Sequence, residues 1–286
     1  MNGEHVRKQV DESVEQLMRH LDRGRSEQMK AYLSAMGRFH RYSWGNVLLI
    51  AMQRPDATRV AGYQTWRKLG RQVKRGERGL AILAPILQRV RSCSEKEDDP
   101  DRVFESIAGF KAAYVFDISQ TDGKPLPDST HVQGDAGQLL GQLKAFIAGL
   151  GIDLGYFDSF GAIDGASSGG EIRIRRGMPT AREFSVGVHE LAHELLHQNG
   201  EQKPSKTVRE TEAEAVAFVV CEAFGLDVNT AASDYIGLYD GKRETLVQSL
   251  ERIQRTASRI IDGVSSQPAV KGADRAEMPA IVGQAA

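Results

Sequence analysis

The sequence has few cysteines and no long apolar segment, and both shortages restrict the kind of protein it encodes. Cys93 and Cys221 are the only cysteines among 286 residues, which argues against a disulfide framework and against a paired redox centre. No run approaches the roughly 20 apolar residues that span a bilayer, and the polar amino terminus lacks the apolar segment of a secretory signal. We therefore expect a cytoplasmic protein without a membrane partner.

Charge is almost balanced over the whole chain, with a net charge of −1, but it is distributed unevenly. Residues 1–92 contain 18 Lys and Arg against 8 Asp and Glu, a net charge of +10. The remainder of the chain contains 19 Lys and Arg against 30 Asp and Glu, a net charge of −11. This asymmetry, in a chain longer than a typical single domain, predicts two domains with different partners.

The apolar pattern predicts an α+β fold made of two domains. An N-terminal α+β domain is expected over residues 1–128, and a mainly helical C-terminal domain with a small sheet is expected over residues 129–264. Turn-forming residues at 122–128 predict the linker between them. Residues 265–286 are rich in Gly, Ala, Pro and Gln without periodicity, which predicts a disordered tail.

Local patterns predict several individual elements. Helical periodicity covers residues 6–37, 139–150 and 242–261. The acidic stretch 95–101 interrupts a strand pattern that resumes at 112–116, which predicts a β-hairpin with a charged tip.

The most informative local pattern is HELAH at residues 189–193. On a helix, His189 and His193 lie on the same face, where both rings can bind one metal ion, and Glu190 beside them is a candidate general base. Thr180 and Glu183 form a capping-box pattern that predicts a helix start before the motif. The alternative interpretation is an amphipathic helix that happens to be rich in histidine.

A catalytic zinc ion usually has three protein ligands, so a further donor is expected downstream. Residues 209–218 predict a second helix, with Glu210 and Glu214 on one face. We assign Glu210 as the third ligand and Glu214 as the acceptor that orients a ligating histidine. Glu212 is a competing ligand, and a solvated acidic helix start would explain all three carboxylates without a metal.

Two further features flank the motif. His197 lies one helical turn beyond His193, so we expect it to lie behind the metal ligands or to face solvent. Residues 169–175 alternate apolar and polar side chains and predict a strand. In zinc peptidases an edge strand at this position pairs with an extended substrate, although an ordinary sheet edge guarded by arginines explains the pattern equally well.

Basic residues in the N-terminal part are concentrated at 66–79, where they alternate with glycines and an aromatic residue. A groove of this composition can follow a phosphate backbone while neighbouring aromatic rings stack on bases. A core role for the aromatic rings and a solvated charged face are the alternatives. The candidate DNA-binding residues are Tyr42, Trp44, Tyr63, Trp66, Arg67, Lys68, Arg71, Lys74, Arg75 and Arg78.

Six ordered motifs extend this observation to a known family: YSWGN at 42–46, ATRVAGYQTW at 57–66, LGRQV at 69–73, GERG at 76–79, ILAP at 82–85 and VFDISQT at 115–121. Together they resemble the N-terminal domain of ArdC-type antirestriction proteins over about residues 10–128. The resemblance implies that this domain binds single-stranded DNA and precedes a metallopeptidase domain.

The C-terminal half, about residues 131–262, is similar to the ImmA/IrrE and ArdC-like zinc peptidases. The HELAH helix and the ETEAE segment at 210–214 carry this resemblance, which implies that Glu210 is the metal-binding glutamate. Residues 233–237 also resemble these proteins, and Tyr235 could donate a hydrogen bond to a tetrahedral intermediate or be an ordinary core tyrosine. The short gap between His193 and Glu210 departs from the pattern, because it has no insertion to close over a substrate.

The leading hypothesis is an ArdC-like, zinc-dependent metalloendopeptidase of the gluzincin type that binds single-stranded DNA and cleaves a protein substrate near it. One alternative is a non-proteolytic DNA-binding antirestriction protein that shields incoming plasmid DNA. The other is an ImmA/IrrE-like peptidase that cleaves a transcriptional repressor. The sequence leaves open the protein substrate, activation by DNA, the oligomeric state, and the choice between zinc and manganese.

Overall fold

The computed structural model describes residues 3–24, 26–91, 103–126, 135–158, 163–197, 204–227, 235–238 and 242–268. Its N-terminal part combines helices with a small amount of sheet. The described helices there are α1 (Gly3–Asp22), α2 (Glu27–Arg38), α3 (Trp44–Gln53) and α4 (Tyr63–Lys68). Residues 6–37 therefore form two helices rather than one, because the chain turns at Gly24, whose φ of 67° suits glycine.

Two antiparallel sheets accompany these helices, and their strands are β1 (Val60–Gly62), β2 (Arg71–Val73), β3 (Leu80–Arg91), β4 (Val103–Asp117) and β5 (Thr121–Gly123). The first sheet has the strand order β1-β4-β3, and the second consists of β2 and β5. The predicted β-hairpin is confirmed as β3 and β4, whereas its charged tip at 95–101 lies outside the described residues.

The C-terminal part is mainly helical, as expected from the sequence. Its helices are α5 (Ala136–Gly149), α6 (Thr180–His197), α7 (Lys206–Ala223) and α8 (Arg243–Ser265), and its strands are β6 (Asp153–Phe157), β7 (Gly165–Ser167) and β8 (Glu171–Arg175). The three strands form one sheet in the order β6-β8-β7, with β6 parallel and β7 antiparallel to β8.

Two expectations about the strands were wrong. The strand predicted at 169–175 is β8, which hydrogen-bonds to a neighbour on both sides and is not an edge strand. Asp122 and Gly123 were assigned to a linker, but they belong to β5 and pair with β2. Sequence periodicity identifies a strand, but the pairing of that strand depends on residues far away in the sequence.

A continuous core joins the two halves of the chain. Helices α2 and α7 pack so closely that a Cβ atom on Gly37 would lie 2.8 Å from the carbonyl oxygen of Val219. Across the same contact, Ser34 Oγ donates a hydrogen bond of 2.7 Å to Glu222 Oε2. The largest cluster of buried apolar residues accordingly runs from Val14 to Val264. The domain boundary at 128/129 stays a prediction and falls outside the described residues, as does the tail from 269 onward.

The helices also bear on the question of a membrane. Among the described helices, none combines the length and the apolar composition that crossing a bilayer requires.

Candidate functional site

Two helices bring the three predicted metal ligands together. His189 and His193 lie one turn apart on α6, and their Nε2 atoms are 3.1 Å from each other. Glu210 projects from the first part of α7, with Oε2 3.4 Å from His193 Nε2 and 3.8 Å from His189 Nε2. The ligand atoms of this group all lie within 4.8 Å of one another, so the group can hold a metal ion.

These separations fit a tetrahedral ion. Bonds of about 2.0–2.1 Å at tetrahedral angles place two ligand atoms about 3.3–3.4 Å apart, so the observed separations differ from this value by roughly 0.5 Å at most. Burial, and secondarily the neighbouring His193, lowers the pKa of His189 to about 4. The imidazole is therefore neutral at pH 7, as metal binding requires.

The three residues open onto a cleft of about 840 Å³ between α6, α7 and the β7 strand. Glu190 also lines this cleft, although only 7% of its surface is exposed. Burial raises the pKa of Glu190 to about 7; a hydrogen bond from Ser167 opposes the rise, and the charges of Glu210 and Glu194 add to it. A cation bound at the three ligands would lower this pKa. The arrangement places the Glu190 carboxyl group beside three residues that could hold a metal ion, and its role as a base stays a prediction.

Strand β7 contributes two residues that the sequence analysis missed. Ser167 hydrogen-bonds to Glu190, and Gly165 lies so close that a Cβ atom there would meet Glu190 Oε1 at 2.7 Å. Because β7 is only three residues long and its contact with α6 is non-local, no periodic signal reveals these positions.

The competing carboxylate Glu212 points away from the cleft. It is fully buried, accepts a hydrogen bond of 2.6 Å from Ser249 Oγ and forms an ion pair with Arg252. Its second oxygen lies 3.7 Å from His197 Nε2. His197 is itself buried, although it also lines the cleft, so it does not face bulk solvent. The structure therefore places Glu210, and not Glu212, beside the two histidines.

The remaining two predicted residues have different surroundings. Glu214 is half-buried and lines the cleft, and its role in orienting a histidine stays a prediction. Tyr235 is 1% exposed and is not among the residues that line the cleft. Burial, with a smaller contribution from Glu214, raises the pKa of Tyr235. This environment agrees with a core tyrosine, and its catalytic role stays a prediction.

The aromatic candidates for DNA binding differ in accessibility. Tyr63 is 42% exposed, whereas Trp66 is only 2% exposed and donates a hydrogen bond of 2.9 Å from Nε1 to the Phe116 carbonyl. Tyr42 and Trp44 are half-buried against the core. Trp66 therefore has a structural role in this conformation, and Tyr63 has the most accessible ring of the four.

The basic candidates for DNA binding differ in whether they have partners within the protein. The Arg71 guanidinium donates to the Thr121 side chain and to the carbonyl groups of Thr121, Gly123 and Lys124, so it stabilises the β2–β5 pair. Lys74 donates to the Ser119 carbonyl and lies 3.7 Å from Asp122. Within the described residues, no carboxylate lies within 4.0 Å of the remaining four, which are the exposed residues Arg67, Lys68, Arg75 and Arg78.

Known proteins resemble this chain in sequence. Residues 2–116 match the family model described as the N-terminal domain of anti-restriction factor ArdC. An uncharacterized protein of Bacillus anthracis is 27% identical over 84% of the chain, and the chain spans about half (48%) of that protein's length.

The antirestriction ArdC protein from the R388 plasmid is similar in structure. Its Mn(II)-bound structure shares the fold, with a TM-score of 0.52 and 17% identity, covering 90% of this chain and 98% of the other. Its metal-free structure has a TM-score of 0.47, also with 17% identity, covering 77% and 84%. The comparisons therefore show an ArdC N-terminal domain at residues 2–116 and an ArdC-like fold over most of the chain.

Proposed function

We propose that the protein is an ArdC-like antirestriction protein that binds single-stranded DNA through its N-terminal basic surface and holds a divalent metal ion at His189, His193 and Glu210. The observation that carries the DNA-binding part is the group of exposed cations Arg67, Lys68, Arg75 and Arg78 within a matched ArdC N-terminal domain, none of which has a carboxylate within 4.0 Å in the described part of the chain. Such cations bind phosphates and release counterions. DNA binding alone is sufficient for protection in this proposal.

The metal part of the proposal is supported by the donor set and its spacing. Two neutral imidazoles and one carboxylate suit zinc, and the Mn(II) found in the ArdC structure makes manganese an equally direct candidate. Equilibrium dialysis with each metal alone, followed by elemental analysis, distinguishes the two. Binding of neither metal near pH 7 would contradict this part of the proposal.

Peptide hydrolysis is a second candidate function, and the position of Glu190 favours it. A divalent metal in this site supplies Lewis acidity and lowers the pKa of a bound water to about 7. His189, His193 and Glu210 would hold that ion. Glu190, which lies against Ser167 and Gly165, would accept a proton from the water that attacks the peptide carbonyl and would transfer it to the amine released when the C–N bond breaks. The substrate is an unidentified protein, and a transcriptional repressor stays among the predicted substrates.

Two groups of variants distinguish these functions in a plasmid-transfer assay against a restricting recipient. Replacing both Arg75 and Arg78 by Glu is expected to abolish protection and DNA binding, whereas Glu190→Gln is expected to leave protection unchanged. Replacing both Arg255 and Arg259 by Glu, at exposed positions of α8, is the matched charge control. If Glu190→Gln abolishes protection while DNA binding and metal content are retained, the hydrolytic function is the correct one.

A further inference from the structure

Helices α1, α2 and α3 enclose a cavity of about 440 Å³ that has no role in the functions described above. Its lining is mostly apolar and includes Leu17, Leu48 and the ring of Tyr32. Met52 also lines it and keeps 47% of its surface exposed. A volume of this size lies within the usual range for pockets that bind small molecules or parts of larger ones.

Two residues of this lining have a polar atom without a hydrogen-bond partner among the described residues. These atoms, Arg38 Nε and His20 Nδ1, are almost inaccessible, and the Arg38 guanidinium also donates from Nη2 to the Pro55 carbonyl at 3.4 Å. The accessible lining is therefore mainly apolar. The Tyr32 hydroxyl donates to the Trp44 carbonyl at 2.8 Å, which leaves its ring as an apolar wall.

The cavity lies next to a second, basic one. Met52 and Pro55, at the C-terminal end of α3, line the apolar cavity. The two residues between them in this stretch, Gln53 and Arg54, line a neighbouring cavity of about 740 Å³ that also includes Arg75 and Arg78. A ligand that combines a phosphate with a planar, partly apolar ring would match both cavities at once.

We propose that the apolar cavity receives an unstacked base of single-stranded DNA while the adjacent phosphates lie on Arg54, Arg75 and Arg78. This inference rests on the DNA-binding part of the proposed function. Met52, which keeps 47% of its surface exposed, packs on a face of the base, since a thioether packs favourably on a π-system. Single strands are preferred over duplexes because extruding a paired base costs free energy.

A cavity-filling variant tests this assignment. Ala51 lines the cavity, and Ala51→Leu fills it without changing charge. The probes are a 12-nucleotide oligothymidylate and a strand of equal length with abasic sites throughout. Wild type should bind the base-bearing strand about tenfold more tightly. Ala51→Leu should remove most of that preference and leave affinity for the abasic strand unchanged, while the exposed helical control Ala148→Leu should leave both affinities unchanged.

A second measurement uses the unmodified protein. Methyl NMR of methionine-labelled full-length chain, with the Met52 signal assigned through Met52→Leu, should show a saturable shift of that signal with thymidine 5′-monophosphate. The inference is overturned if the Met52 signal does not move, or if Ala51→Leu affects both strands equally. Failure of wild type to bind either strand at low salt overturns the DNA-binding function itself, whereas tight binding without base preference overturns only the base pocket.

Discussion

At the scale of single residues, Gly165 determines how closely β7 approaches the metal helix. A Cβ atom at this position would lie 2.7 Å from both Glu190 Oε1 and Val186 Cγ1. Real Cβ atoms do not approach neighbours so closely, so a side chain here must displace Glu190 or separate β7 from α6. The absence of a side chain is therefore what allows the candidate base to occupy its position beside the ligands.

Gly165→Ala is expected to destabilise the protein by about 1–3 kcal/mol, because overpacking strains the contact between strand and helix. Urea unfolding midpoints at constant m-value measure the change. The matched control is Gly155→Ala in β6 of the same sheet, where the added Cβ atom would meet only Arg173 Cγ at 3.8 Å. Equal effects of the two substitutions would contradict the proposed role of Gly165.

Asp117 is a second residue whose role depends on nearby backbone groups. Its carboxylate accepts hydrogen bonds from the amides of Thr58, Arg59 and Ser119 and from the Ser119 hydroxyl, at 2.6–3.0 Å. Burial raises the pKa of this carboxyl, but the hydrogen bonds outweigh burial and lower it below its usual value. The ionised form is therefore the one that stabilises the fold.

Asp117→Asn is expected to lower the free energy of unfolding by about 1–3 kcal/mol at pH 7, since at least one amide loses its charged acceptor. Because the folded pKa is lowered, this contribution is present above the unfolded value of about 3.9 and is lost as pH falls through the folded pKa. Urea unfolding between pH 3 and pH 7 should show wild type and variant converging at the acid end.

Asp56→Asn supplies the control for the preceding prediction. Asp56 is exposed and forms only a 3.6 Å ion pair with Arg54, so its replacement should change stability by less than about 0.5 kcal/mol. A pH-independent difference between wild type and Asp117→Asn would contradict the assignment of the ionised carboxylate.

Residues that act through local sequence could be predicted, whereas those that act through distant contacts could not. His189, Glu190 and His193 were identified because helical spacing alone places them together. Arg71 is a predicted DNA contact and stays one, but the structure also shows its guanidinium donating to the side chain and carbonyl of Thr121 in β5, 50 positions later in the chain. No property of the LGRQV segment indicates that pairing.

At the scale of elements, the helical period of α7 decides which carboxylate faces the metal helix. Glu210 and Glu214 both line the cleft, while Glu212, two positions from each, faces α8 and contacts Ser249 and Arg252. Side chains two positions apart on a helix point about 200° apart. Helix α7 therefore places the candidate ligand Glu210 on one face and the ion-paired Glu212 on the opposite face.

Glu210→Gln should accordingly lower metal affinity but not stability, whereas Glu212→Gln should lower stability but not metal affinity. Glu210→Gln is expected to weaken zinc or manganese binding by about 100-fold and to leave the unfolding midpoint of the metal-free protein nearly unchanged. Glu212→Gln leaves the half-buried Arg252 without its charged partner and should destabilise the protein by about 1–3 kcal/mol while retaining metal affinity. Isothermal titration with each metal and urea unfolding measure the two quantities. Loss of metal binding in Glu212→Gln alone would reverse the assignment.

Element prediction from sequence succeeded for helices and failed for sheet position. The helices α5, α7 and α8 lie where periodicity predicted them, within a few residues. The strand β8 was recognised, but its central position was not, because an alternating pattern is the same for a central strand and for a half-covered edge. The short edge strand β7 carried no alternating pattern at all.

At the scale of the whole molecule, the two halves share one core despite their opposite charge. Beyond the contact of α2 with α7, Arg243 of α8 pairs with Asp11 and Glu15 of α1, and Gln254 donates to the His40 carbonyl. Charge asymmetry describes a difference in net charge between the two parts of the sequence. It does not by itself separate two folding units, since net charge governs association and solubility more than the packing of a core.

We therefore expect the two halves to unfold together. The fluorescence of Trp44 and Trp66, the two tryptophans of the chain, reports on unfolding of the N-terminal half. Thiol labelling of the buried Cys221, in a Cys93→Ser background, reports on unfolding of the C-terminal half. Their urea transitions should coincide.

Gly37→Ala, whose Cβ atom would lie 2.8 Å from the Val219 carbonyl, should shift both transitions to lower urea by the same amount. Gly149→Ala, with no neighbour within 4 Å, is the control. Separate transitions, or a shift in only one of them, would show two independent folding units.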